Sequence, residues 1–325
     1  MKLPFACMEA FFLPGHSALE HLARECAFLP SATRGRSFLL FYVNSPCLII
    51  GRNQNPWKEI APGSRLPCYR RESGGGTVYH DLGNLNWAFI VPRGIHDQDA
   101  ELDAMAKAVS SLGLDVEPGP RGGLYLGASS SQPGAKVSGT ARRFAPESVL
   151  HHGTLLISSD LAAMESALSG MKFQDDSSLP SAPARTANLV GEGLGLPPRE
   201  VASALAIALG ARNLETEAED LGADAIYRSA LEGLASSRWI YGKTPRFCIG
   251  LGSGPAAGED GNTHSLLLAV EGGKPAHLLM GPDKEAIPLP PSFTDRYFSP
   301  TLLEELKAWV DASFAHLRGP GSVLY

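Results

Sequence analysis

Cysteine is scarce in this chain: five in 325 residues, at Cys7, Cys26, Cys47, Cys68 and Cys248, with no C-x-x-C pair. An odd count at these spacings argues against a disulfide framework or a cysteine zinc site and suits reduced, mostly buried thiols. Long apolar runs are missing as well. The longest uncharged stretch, between Arg36 and Arg52, is fifteen residues broken by Asn44 and Pro46, too short to span a bilayer and better read as buried strands. Nor is there a basic excess: 28 Lys and Arg stand against 34 Asp and Glu, a net charge of −6, which argues against a nucleic-acid partner. At the N-terminus a single Lys2 precedes an apolar stretch interrupted by Glu9, which spoils a secretory signal. A cytoplasmic protein without membrane attachment is expected.

What is present is a globular composition, 44% hydrophobic and 19% charged, in a chain long enough for one large and one small domain. Periodicity predicts helices over 18–29, 99–112, 160–169, 199–209, 220–236 and 301–317. Strands are expected at 38–43, 47–50, 68–71, 77–80, 85–91, 124–126, 135–142 and 149–157, with a hairpin loop at 129–134. After Trp239-Ile240-Tyr241-Gly242 the chain changes character, with strands at 246–250, 264–271 and 276–280 and a Gly/Ala-rich flexible loop at 252–261. This predicts a division into 1–242 and 246–325.

Two stretches carry chemistry. Arg70 to Asn84 combines cations, the Ser73 hydroxyl and Gly74-Gly75-Gly76 between two expected strands. Glycines let the backbone turn its N–H groups toward an anion, and Arg71 can add a forked, charge-assisted contact. An ordinary glycine hairpin fits the same pattern. No G-K-[ST] follows, so it is not a P-loop. In the second stretch, Lys136, Ser138 and Thr140 alternate with Val137, Gly139 and Ala141. As one strand, this puts a lysine and two hydroxyls on one face, suited to a pocket, with the small residues leaving room for a flat ligand such as a purine. A lone lysine is otherwise a solvated surface charge. His151 and His152 point to opposite faces of a strand, so they are not expected to share a metal, and one is expected in the core.

Together these stretches resemble the lipoate-protein ligase family. Gly51-Arg52-Asn53-Gln54-Asn55-Pro56-Trp57-Lys58-Glu59 looks like its segment ahead of the glycine loop, and Arg70 to Asn84 like its R-R-x-S-G-G-G-x-V-x-H-D-x-G-N signature. Lys136 to Ala141 is similar to K-x-S-G-x-A, and His151 to Leu156 to H-H-G-T-L-L, all in the family's order. The resemblance implies an α+β fold: a mixed β-sheet catalytic domain of the biotin/lipoate ligase type with a small C-terminal α+β accessory domain. It implies ATP-dependent activation of lipoate to lipoyl-AMP, then transfer to a lysine of an apo lipoyl domain or lipoate-carrier protein. Lys136 is the expected catalytic cation, offsetting repulsion between carboxylate and phosphate and stabilising the later oxyanion. Arg71, Ser73, Gly75, Gly76 and Thr77 are expected to line the lipoyl-adenylate, with Ser138, Gly139, Thr140 and Ala141 around the nucleotide. His80, Asn84, Arg143 and His152 are second choices. Mg²⁺ is expected on the triphosphate, with no protein ligand identified. Leu19, Trp87 and Phe89 are candidates for an apolar slot, and equally for the core.

Two other readings stay open. An octanoyltransferase or lipoyl amidotransferase of the same superfamily looks similar but holds its acyl group on a cysteine, and no cysteine lies between Cys68 and Cys248. A non-catalytic lipoyl-binding protein would keep the pocket alone. One departure from the family stands out: Arg121-Gly122-Gly123-Leu124 occupies the place of an R-N-D-like sequence. Weaker use of MgATP is expected, unless the serines of the 129–134 loop or water fill the gap. Restoring Asn and Asp should then help, provided the glycines do not occupy positive φ.

Overall fold

The computed structural model describes residues 8–32, 36–215, 224–257, 263–281 and 283–313. The chain divides into two compact units, one of Met1–Arg52, Arg65–Ala167 and Ser181–Ser236, the other of Asn53–Ser64, Leu168–Pro180 and Ser237–Tyr325. A boundary at 242 therefore assigns two internal segments of the second unit to the first.

The strands of the first unit are β1 (Met8–Phe12), β2 (Ser37–Val43), β3 (Cys47–Ile50), β4 (Cys68–Arg70), β5 (Val78–His80), β6 (Asn84–Pro92), β7 (Val116–Gly119), β8 (Gly123–Leu126), β9 (Lys136–Ser138), β10 (Thr140–Phe144), β11 (Ser148–Leu156) and β12 (Arg212–Glu215). They form a six-stranded sheet in the order β10-β11-β6-β2-β1-β12 and two three-stranded sheets, β4-β3-β5 and β7-β8-β9. In the large sheet β1 runs parallel to β2 and β12, whereas β2, β6, β11 and β10 pair antiparallel. The fold is thus the mixed α+β class that the resemblance implies.

Strands β2 and β6 are buried along their whole length, which explains their largely apolar sequences. Alternation sends Leu39, Phe41, Trp87 and Phe89 to one face, against Leu102 and Met105 of helix Gln98–Ser110 and Leu205 of helix Pro198–Ala208. Phe38, Leu40, Ala88 and Ile90 go to the other face, with Phe28 of helix Ala18–Phe28. Each such side chain contributes about 1.5–3 kcal/mol by leaving water. Two helices start where a side chain accepts from the exposed first turn: Ser17 from the Glu20 N–H, and Asp97 from those of Asp99 and Ala100.

The expected strand 135–142 is broken. β9 pairs with β8, while β10 pairs with β11, and the chain changes sheet at Gly139. The break is held by the Gly139 N–H donating to Thr154 Oγ1 at 3.2 Å and the Thr154 N–H to the Gly139 carbonyl at 3.0 Å. Lys136 and Ser138 share a strand, whereas Thr140 belongs to another sheet.

In the second unit β13 (Phe247–Ala257), β14 (Thr263–Glu271), β15 (Lys274–Met280) and β16 (Glu285–Pro288) form an antiparallel sheet under helix Pro300–Ser313. Strand β13 runs through the first part of the expected 252–261 loop, whose remainder lies outside the described residues, as do 220–223 and 314–317 of the expected helices. The core joins Phe247, Leu268, Phe298 and Leu306 to Trp57, Met171 and Phe173 from the two internal segments. Trp57 stacks on Tyr241 with centroids 5.8 Å apart and meets the Phe298 ring edge-on at 5.1 Å. No described helix is long and apolar enough to cross a membrane.

Candidate active site

The glycine loop joins β4 to β5 and is held from inside. The buried Arg71 guanidinium donates from Nη1 to the Ile49 carbonyl at 3.0 Å, from Nη2 to the carbonyls of Gly74 at 2.6 Å and Gly76 at 2.7 Å, and from Nε to Ser73 Oγ at 3.0 Å. Burial lowers its pKa to about 10, opposed by the charges of Glu25 and Tyr42. Arg71 therefore shapes the loop; its donors are engaged by the protein, not held out toward an anion as expected. The Gly74 and Gly76 carbonyls face the arginine, and the N–H groups of Gly74, Gly75 and Gly76 have no partner among the described residues. Three consecutive free donors make an anion cradle. Gly75 holds φ at +82°, which favours glycine.

The same loop meets the lysine motif. A Cβ built on Gly75 would stand 3.5 Å from the Ala141 Cβ and 3.8 Å from the Thr140 carbonyl oxygen. One built on Gly139 would stand 3.4 Å from Lys136 Nζ. Lys136 is half-buried and makes no ion pair among the described residues; its pKa is lowered by burial and then by Arg121. Ser138 Oγ is fully buried and also without a partner among them. Gly75 thus adjoins Thr140 and Ala141, and Lys136 reaches Gly139 of the same motif, with Gly76 and Thr77 continuing the loop. The Thr77 N–H is taken by Ser181 Oγ at 2.9 Å, and Thr140 Oγ1 donates to the Gly122 carbonyl.

The departure at Gly122-Gly123 is not a vacancy. Gly122 holds φ at +68°, and a Cβ there would lie 2.9 Å from Gln98 Nε2 and 3.0 Å from Thr140 Oγ1. A Cβ on Gly123 would lie 2.8 Å from Lys136 Cε and 2.9 Å from the Ser138 carbonyl oxygen. The serines do not reach this place: the Ser129 N–H donates to Asp115 Oδ2 and that of Ser131 to Glu192 Oε2, each at 2.8 Å.

His151 and His152 do face opposite sides. His151 Nδ1 lies 2.7 Å from Glu101 Oε2, and His96 Nδ1 lies 2.8 Å from the other oxygen of the same carboxylate. On the opposite face His152 Nε2 is 2.7 Å from Ser73 Oγ, and its Nδ1 is 2.8 Å from Glu25 Oε1, which also accepts from the Tyr42 hydroxyl at 2.8 Å. His80 lies nearby with Nδ1 2.8 Å from the Asn44 amide; burial, then Arg71, lower its pKa to about 3, so it is neutral.

The other second choices divide. Asn84 donates to Asn86 Oδ1 at 3.1 Å as part of β6. Arg143 pairs with Glu72 and donates to Cys26 Sγ at 3.3 Å, so it is not an open cation. Trp87 and Phe89 are core residues on the sheet face away from Ser73, and Leu19 is half-buried on its helix. Glu25 and Tyr42 were not visible as site residues. The signal for Glu25 was its place on the buried helical stripe with Leu22 and Leu29, where a carboxylate needs a partner. Among the described residues no cluster of three or more His, Cys, Asp or Glu side chains could hold a metal ion.

Residues 17–210 match the model of the Lipoyl protein ligase A/B catalytic domain. A mitochondrial lipoyl amidotransferase of Mus musculus is 33% identical over 232 residues, covering 66% of this chain and 60% of that protein. Lipoate–protein ligase 1 of Staphylococcus aureus is 35% identical over 155 residues, 46% of this chain and 45% of that protein. Both alignments thus span less than two thirds of the relative. A solved lipoate-protein ligase A bound with ATP superposes with a TM-score of 0.57 at 24% identity, over 71% of this chain and 98% of that one, which establishes a common fold. With the catalytic-domain model matched across most of the first unit, the chain belongs to the lipoate-protein ligase family.

Proposed function

We propose that the chain is an ATP-dependent lipoate-protein ligase that forms lipoyl-AMP and passes the lipoyl group to a lysine of an apo lipoyl domain or lipoate-carrier protein. The observation that carries this reading is Lys136: a half-buried ammonium without an ion partner among the described residues, in a motif whose Thr140 and Ala141 adjoin Gly75 of a loop with three N–H donors unpartnered among those residues. Lipoate carboxylate and the α-phosphate of ATP repel one another, and an ammonium between them offsets that repulsion and the charge growing in the transition state. The glycine N–H groups suit phosphate or carboxylate oxygens, and Ser138, Gly139, Thr140 and Ala141 suit the nucleotide. In transfer, the same ammonium stabilises the oxyanion formed when the acceptor amine attacks the anhydride. Mg²⁺ belongs to this reading as a companion of the triphosphate, without an assigned protein ligand. The second unit has the accessory role, and the expected compartment is the cytoplasm, although the mouse relative is mitochondrial.

The amidotransferase reading has the mouse relative in its favour. Against its cysteine form, none of the four described cysteines pairs with Lys136 or a histidine. Burial pushes the thiols of Cys47 and Cys68 up to about 12 and, with Glu72, raises that of Cys26 further. The test is to incubate pure protein, lipoate and an apo lipoyl domain with and without MgATP and to weigh the acceptor. A gain of one lipoyl group only with ATP is expected; transfer only from an acyl-carrying donor protein would favour the amidotransferase, and no transfer a silent binder.

A further inference from the structure

The Lys136 chemistry needs no activated hydroxyl, yet Ser73 Oγ stands between an imidazole and a guanidinium. Helix Ala18–Phe28 brings Glu25 and β11 brings His152 to the first residue ahead of the three glycines, and all three side chains are buried: Glu25 2%, Ser73 1% and His152 7% exposed. A carboxylate only accepts, so the His152 proton sits on Nδ1, donated to Glu25 at 2.8 Å, and the Nε2 lone pair faces Ser73 Oγ at 2.7 Å. Tyr42 donates to the same Glu25 oxygen at 2.8 Å and fixes the carboxylate. The single Arg71 Nε hydrogen is shared between Ser73 Oγ at 3.0 Å and the Gly74 carbonyl at 3.1 Å, leaving the hydroxyl hydrogen for the imidazole and favouring negative charge on the oxygen. Directly after Ser73 come the free N–H groups of Gly74, Gly75 and Gly76. Nucleophile, base, orienting carboxylate and oxyanion donors are therefore contiguous, the arrangement that activates serine in acyl transfer.

We propose that Ser73 is an acyl-accepting nucleophile, giving this chain an ATP-independent transfer of medium-chain acyl groups from thioesters or activated esters. Ser73 Oγ attacks the acyl carbonyl as His152 Nε2 takes its proton, and the glycine N–H groups hold the oxyanion. The C–S bond breaks and the departing thiolate takes the proton from His152, leaving an octanoyl- or lipoyl-serine ester. An amine or water then attacks that ester, its C–O bond breaks, and Ser73 recovers its proton through His152. Ser73 is the catalytic residue; Glu25 is a positioning residue. The inference rests on the acyl-binding half of the proposed function and not on adenylation.

The test uses the full chain without ATP, mixed with S-octanoyl-pantetheine or 4-nitrophenyl octanoate, quenched in acid and mapped by peptide mass spectrometry. Octanoyl on the peptide carrying Ser73 and a burst of nitrophenolate are expected. Ser73→Ala should lose both, and Ser73→Cys should regain the label as a thioester. His152→Gln and Glu25→Gln should slow the burst by about a hundredfold or more, with partial rescue by Glu25→Asp, which a merely structural role would not give. Wild-type protein labelled at Lys136, at Cys26 or nowhere overturns the proposal, whether or not any variant folds. If that map is blank while MgATP still drives ligation, the serine chemistry fails and the ligase stands; the converse result separates them the other way.

Discussion

Gly51 lies directly beneath the carbonyl of Gly75, so close that a Cβ on Gly51 would overlap that oxygen. The end of β3 thus sets the height of the glycine loop, while Arg71 holds the carbonyls of Gly74 and Gly76. Gly51→Ala must push the loop outward or strain β3. Overpacking of this kind costs about 1–3 kcal/mol, so a fall in thermal stability is expected together with weakened binding of lipoate and ATP, read by calorimetric titration. An unchanged melting temperature with unchanged binding would show that the loop shifts freely and that this contact does not shape the cradle.

Lys136→Ala should keep the fold, because the side chain is half-exposed and makes no ion pair among the described residues. Loss of a charge-stabilising donor commonly costs about 3–4 kcal/mol of transition-state stabilisation, or roughly a hundredfold to a thousandfold in rate. Pyrophosphate release measures adenylation directly, and a folded variant that releases it at the wild-type rate would remove Lys136 from the mechanism.

The lowered pKa of Lys136 has a definite sign in the pH profile. The ammonium is the working form; it persists below the folded pKa and is lost as pH rises through it, so the alkaline limb of kcat/KM should fall below the ordinary lysine value. Arg121 is the second cause of the shift, so Arg121→Ala, by removing a like charge, should move the limb upward. A limb that stays in place in this variant would mean that another group titrates.

Gly122→Asn combined with Gly123→Asp should impair the protein. The positive φ at Gly122 breaks the condition on which the reverse expectation depended, and both Cβ positions are contested by Gln98, Thr140, Lys136 and Ser138. A lower melting temperature and slower adenylation are expected, and a tighter MgATP titration of the double variant would contradict this.

Local motifs made much of the site legible. The three glycines and the K-x-S-G-x-A run announce a cradle and a cation because each property belongs to consecutive residues. Arg71 was legible as a cation but not as a brace, since its partners at Ile49, Gly74 and Gly76 follow from a turn the sequence does not draw. Glu25 and His152 are 127 positions apart, and no spacing rule links them. The large sheet followed from the apolar runs of β2 and β6, whereas β1 and β12 went unpredicted because Glu9 interrupts the first and Arg212-Asn213-Leu214-Glu215 is mostly polar, so neither shows an apolar run. The division of the chain was least legible: Trp57 lies within a motif that reads as one segment, and its assignment depends on the distant rings of Tyr241, Phe247 and Phe298.

That assignment changes what a truncation should do. A chain ending at Gly242 keeps Tyr241 but loses Phe247, Leu268, Phe298 and Leu306, against which Trp57, Met171 and Phe173 pack. It therefore carries two internal segments whose apolar side chains have lost their core, in addition to lacking the accessory unit. The three side chains would be exposed together, each giving up part of the roughly 1.5–3 kcal/mol that full burial of such a group contributes. Aggregation or binding of a hydrophobic dye is expected of this fragment, with the melting of the remaining fold lowered. Replacing Trp57, Met171 and Phe173 by polar residues in the same fragment should restore its solubility. Should the unmodified fragment be soluble, monomeric and dye-negative, 53–64 and 168–180 would belong with the first unit, and the boundary at 242 would stand.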